Sequence, residues 1–112
     1  MTPDATVKEM LRGLEALGTP GLAKQVLEVF LLDASGRLSS LRDAIGRRDF
    51  KGMYEAAHSM QGSAAMVGAA SLAALCRQVA EAARAESFER CETLAAGLNT
   101  AFESIRQAAL EN

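Results

Sequence analysis

Apolar residues recur every three or four positions along almost the whole chain, and the points where that rhythm breaks divide it into helices. Leu22, Val26, Val29, Phe30, Leu38, Leu41 and Ile45 carry it from about residue 20 to Gly46, with Gly36 as the position where a kink is cheapest. Thr19 is the candidate N-cap of this helix and Pro20 its first residue. Asp49 then caps a segment over 49–67 that ends at Gly68, with Phe50, Met53, Ala57, Met60, Ala64 and Val67 as its predicted buried stripe. Ser71 starts a helix over 71–84 that carries Leu72, Leu75, Cys76, Val79 and Ala83, and Ala85-Glu86 breaks it. Ser87 caps the last helix, 88–110, whose stripe is Phe88, Cys91, Leu94, Ala95, Leu98, Ala101, Phe102, Ile105 and Ala109. Ahead of these four, Val7, Met10, Leu11, Leu14 and Leu17 predict a short amphipathic helix within residues 2–17. No segment alternates with the period of a strand, and short connections make successive helices antiparallel neighbours. The expected fold is therefore all-α, an antiparallel up-down four-helix bundle with a short N-terminal helix capping one end. Residues 1–112 form a single domain in this reading.

Composition narrows the function classes. Apolar residues make up 49% of the chain but aromatics only 4%, so the interior must be built from Ala, Leu, Val and Met, which suits closely packed helices. The net charge of -2, with lysines and arginines scattered, offers no basic stripe for a nucleic-acid backbone. No apolar run reaches the ~18–20 residues of a membrane span. Met1-Thr2-Pro3-Asp4 lacks the basic-then-apolar start of a signal peptide, so the expected setting is cytoplasmic without membrane contact. Cys76 and Cys91 both fall on apolar stripes and read as buried, reduced thiols, with no ligand spacing for a metal.

Chemistry concentrates in Ala57-His58-Ser59-Met60-Gln61-Gly62-Ser63, which holds the only histidine. At about 100° per residue, His58 is offset from the apolar stripe and shares a flank with Tyr54, Gln61, Gly62 and Ala65. Gly62 follows His58 by one turn, although a glycine inside a helix costs about 1 kcal/mol relative to alanine. Two explanations stand for it: the space admits an approaching protein surface beside the imidazole, or a neighbouring helix packs tightly there. Glu55-Ala-Ala-His58 matches one half of the di-metal pattern of ferritin-like bundles, but that site needs the pattern twice and there is no second histidine. A metal-dependent bundle oxidase is accordingly not expected. Ser59 and Ser63 project away from His58, which argues against a serine hydrolase. No GxxxxGK[ST] loop is present, so the chain is not expected to use ATP itself. What remains for an exposed imidazole is nucleophilic attack by its neutral form on an activated phosphoryl group, which protonation on acidification would block.

The run Ala57-His58-Ser59-Met60-Gln61-Gly62-Ser63-Ala64-Ala65-Met66-Val67-Gly68-Ala69 resembles the AHxLKGSxxxxGA signature of histidine-containing phosphotransfer (Hpt) domains. Thr19-Pro20-Gly21, Val29-Phe30-Leu31 and Leu72 to Cys76 resemble the flanking family pattern, so the likeness covers nearly the whole chain. It implies that His58 is phosphorylated at Nε2 by an aspartyl phosphate on a receiver domain of a response regulator or hybrid kinase, and hands the group to another receiver. It implies a docking face around Gly62, with Glu55, Ser59 and Ala65. It also implies a phosphoryl carrier without kinase activity and without a cofactor of its own, the Mg²⁺ residing on the receiver. One position departs from the pattern. Gln61 stands where the family usually has lysine; it can donate a hydrogen bond to a phosphoryl oxygen but brings no charge. Arg77, Lys51 and Arg47 are the candidate replacements, the alternative being that they are solvated surface residues, and Glu55, one turn before His58, is placed either to orient the ring or only to favour its protonated form. The competing reading is a docking module that uses the same face, with Met60 and Met66 as adaptable contacts although Met60 also lies on the predicted core stripe, and moves no phosphoryl group.

Overall fold

The computed structural model describes residues 12–13, 15–16, 18 and 21–111. Four helices follow one another: α1 (Leu22–Gly46), α2 (Phe50–Met66), α3 (Ala70–Arg84) and α4 (Phe88–Glu111). Each packs on the next, and α1 also meets α4, which closes the bundle. Ser63 Oγ lies 3.3 Å from Asp33 Oδ2 across the α1–α2 seam, which marks the antiparallel register there. The apolar residues of the predicted N-terminal helix lie outside the described residues.

The three connections between the helices have one cause. Asp49 N–H donates to the Ala44 carbonyl and Arg48 N–H to that of Ile45; the same pair of bonds recurs at Ala69 and Gly68, and again at Ser87 and Glu86. This is the Schellman arrangement, which closes a helix by putting one residue in the left-handed region. Arg48 (φ 52°), Gly68 (φ 81°) and Glu86 (φ 55°) hold that position. Each connection is then three residues long, too short for anything but an antiparallel return. Asp49 begins α2 as the sequence predicts, accepting from Gly52 N–H at 3.0 Å. Ser87 directly precedes α4, and its carbonyl accepts from Cys91 N–H at 3.0 Å.

The start of α1 differs from expectation. Its N-cap is Gly21, with φ 80°, rather than Thr19, because the chain enters the helix through a left-handed turn that glycine adopts at little cost. Gly36 leaves α1 as one continuous element, and Ser40 Oγ donates to its carbonyl at 3.2 Å. The core is as aromatic-poor as the composition requires. Leu41, Met53, Met60, Leu72, Val79 and Leu98 are its largest fully buried side chains, and Ala34, Ala57, Ala64 and Ala69 fill the space between. Phe50, predicted as core, is only half-buried, whereas Ala56 and Ala108 join the core outside their predicted stripes. Cys76 and Cys91 are free, buried thiols.

The left-handed closures make a test. Gly68→Ala should lower the unfolding free energy by about 1 kcal/mol and Glu86→Gly should raise it by up to about 1 kcal/mol, both read from urea melts.

Candidate functional site

The site follows from how α2 is seated. Its buried residues are Met53, Ala56, Ala57, Met60 and Ala64, all on one side, so His58 points away from them and is exposed. The imidazole is not free-standing. Its ring stacks on Tyr54, one turn earlier, with centroids 5.3 Å apart and planes within 10°. Tyr54 is half-buried. The Arg84 guanidinium, from the end of α3, lies 5.7 Å from the centre of the Tyr54 ring.

Two shallow hollows flank the histidine along the α2–α3 seam. One, of about 350 Å³, is lined by Gln61 and Ala65 from α2 and by Ala73, Ala74 and Arg77 from α3. The other, of about 400 Å³, is lined by Lys51 and Tyr54 from α2 and by Ala83 and Arg84 from α3. Gln61 thus faces Arg77 and Tyr54 faces Arg84. In an antiparallel pair the residue level with His58 is then Ala80, whose side chain is small and buried. Arg77 and Arg84 stand about one turn to either side of that level, roughly 5 Å along the axis. Arg77 makes only a loose pair with Glu81, 3.8 Å apart and well exposed on both sides.

The other sequence candidates divide. Gly62 and Ala65 are exposed on the His58 side of α2. A Cβ built at Gly62 would meet nothing within 4 Å, so tight packing against a neighbouring helix is not its reason. Gly36 and Gly97 are equally open, so what distinguishes Gly62 is its place one turn from His58. Ser59 is half-buried, and its carbonyl accepts from Ser63 Oγ at 3.4 Å. Glu55 is exposed, and among the described residues neither a hydrogen bond nor an ion pair joins it to His58; Tyr54 is what lies against the ring. Glu55 and His58 both face outward, away from the interior in which bundle metal sites are built. Lys51 opens onto the Tyr54 hollow, and Arg47 sits exposed at the end of α1. Sequence reasoning missed Arg84, which periodicity cannot single out because only the α2–α3 register brings it to Tyr54. The thiols stay outside this chemistry: burial pushes Cys76 up to about 12 and also raises Cys91, so both are held protonated.

A family model described as the Hpt domain matches residues 25–108. The chain belongs to the Hpt family. No curated protein matches it in sequence. Among solved structures, it is similar to histidine-containing phosphotransfer protein B (HptB) of Pseudomonas aeruginosa PAO1, with 27% identity, coverage of 92% of this chain and 89% of that one, and a TM-score of 0.84. It is also similar to the histidine-containing phosphotransfer protein ZmHP2 of maize, with 26% identity, coverage of 89% and 82%, and a TM-score of 0.80. The all-α bundle is thus an Hpt bundle, and the chain is a phosphorelay intermediate of two-component signalling. Hpt domains are phosphotransfer carriers that work with receiver and kinase partners. No helix among the described residues is long and apolar enough to cross a membrane.

The open space at Gly62 predicts a sign. Gly62→Ala should raise the unfolding free energy by about 0.5–1 kcal/mol in urea melts, because it gains helix propensity and meets no neighbour. A loss of stability would restore the packing explanation.

Proposed function

We propose that His58 carries the phosphoryl group, accepting it from an aspartyl phosphate on one receiver domain and passing it to another. The observation that carries this is an exposed imidazole on the outward face of a helix whose other face is buried, one turn from a glycine with nothing above it. The Nε2 lone pair forms the N–P bond as the P–O bond to the aspartate breaks, and the carboxylate leaves with the electron pair; the second transfer reverses this. Phosphoryl transfer asks chiefly for positioning and charge neutralisation, and the Mg²⁺ that supplies much of the latter arrives with the receiver. The domain contributes no kinase chemistry and works in the cytoplasm.

Charge missing at Gln61 comes from α3. Gln61 offers its amide N–H to the phosphoryl oxygens while Arg77, in the same hollow, offers a guanidinium whose exposed pair with Glu81 is weak enough to be exchanged for a phosphate. Lys51 adds long-range positive potential from the other hollow. The docking face is Glu55, Ser59, Gly62 and Ala65, extended by exposed apolar side chains. Met66 is 87% exposed, and Leu32 (79%) and Val29 (68%) on α1 lie level with the same end of α2 by the Asp33–Ser63 register. Large exposed apolar residues beside a reactive group suit a transient protein partner.

Incubation with phosphorylated receivers of the host tests the proposal. Wild type should acquire an acid-labile label, His58→Gln none, and Gly62→Lys should be labelled at least tenfold more slowly. Label retained in His58→Gln would overturn the assignment. Binding of receivers that never label the wild type would leave the docking-module reading instead.

A further inference from the structure

We propose that Tyr54 is a positioning residue for the phosphotransfer step: it holds the His58 imidazole in one orientation by stacking, and Arg84 holds Tyr54 in turn. The inference rests on His58 being the phosphoryl carrier. A long side chain on a helix leans over the turn before it, so His58 in an ordinary helical rotamer comes to lie over residue 54. An aliphatic or charged residue there would leave the exposed ring to sample several orientations. The chain instead places a tyrosine, whose ring lies parallel to the imidazole at 5.3 Å. Tyr54 is itself half-buried and has the Arg84 guanidinium 5.7 Å from its ring centre, two contacts that restrict it. Stacking of this geometry favours the held orientation by roughly 2- to 12-fold.

The stack also responds to charge. As the N–P bond forms and the aspartyl carboxylate departs, the ring bears phosphorus on one nitrogen and a proton on the other, and therefore carries a positive charge. The face of Tyr54 is the negative pole of its π-system and attracts that cation more strongly than the neutral ring. The contact thus strengthens along the reaction, which is the condition for accelerating it. Ala80, the α3 residue level with His58, is small and buried, so it contributes no bulky side chain to that side of the ring.

Tyr54→Phe, Tyr54→Leu and Arg84→Gln test this in the full chain. The ring protons of His58, followed by NMR with no phosphoryl donor present, should lie upfield in wild type and Tyr54→Phe and return toward ordinary positions in Tyr54→Leu. Labelling by phosphoramidate, a donor that needs no docking, and saturating transfer from a phosphorylated receiver should both slow about 3- to 10-fold in Tyr54→Leu. They should stay within twofold of wild type in Tyr54→Phe and fall between in Arg84→Gln, with the helical content of all three unchanged. The inference is overturned if Tyr54→Leu keeps both the shifts and the rates, or if Tyr54→Phe loses as much as Tyr54→Leu, since the face and not the hydroxyl is invoked. A wild type that accepts nothing from any receiver would overturn the role of His58 first, and is distinct from a wild type that transfers normally alongside an equally fast Tyr54→Leu.

Discussion

The burial of Met53, Ala57, Met60 and Ala64 against the other helices sets the roll of α2, and everything chemical about the protein hangs on that roll. These four side chains are fully buried, and at about 100° per residue they leave His58 on the far side of the helix. The energies separate clearly. Exposing Met53 and Met60 would cost about 1.5–3 kcal/mol each, whereas the stack that orients the imidazole is worth about 0.5–1.5 kcal/mol. Packing therefore decides where His58 stands, and the weaker aromatic contact only chooses how its ring lies once there.

An alanine-rich core makes the second contribution. With Ala34, Ala57, Ala64 and Ala69 between the larger residues, helices lie close together, and three-residue Schellman turns hold their ends in antiparallel register. That register matters to the site more than any single contact. It sets Gln61 against Arg77 and Tyr54 against Arg84, with Ala80 between them, so that a guanidinium lines the hollow on either side of the level of His58. Where the family usually has a lysine on α2 this chain has Gln61, and the positive charge that lines the same hollow is Arg77 on the neighbouring helix. Carrier chemistry tolerates such a move because what a phosphoryl group requires is charge at the right distance, not charge from a particular backbone position.

Most of this bundle was legible in the sequence, because long amphipathic helices leave a strong periodic signal and Asp49 and Gly68 are unambiguous punctuation. The outward setting of His58 followed from the same periodicity. What periodicity could not show were features that depend on three dimensions. Arg48 and Glu86 occupy left-handed closures that residue type disfavours and only the turn geometry demands. Gly21 displaced Thr19 at the start of α1 for a comparable reason, a backbone turn rather than a side-chain cap. Ala56 and Ala108 are buried because neighbouring helices cover a wider arc than a minimal stripe. Arg84 entered the site solely through the pairing of α2 with α3. The two explanations for Gly62 were equal on sequence grounds, and the empty space above it decided between them.

Whether His58 carries the phosphoryl group is read most directly by phosphorus NMR of the full chain after transfer from a phosphorylated receiver, with correlation from phosphorus to ring protons. A single phosphoramidate resonance coupled to the His58 imidazole is the predicted result. Phosphorus bound elsewhere on the chain, or a His58 ring that remains unmodified while the receiver discharges onto the protein, would contradict the account.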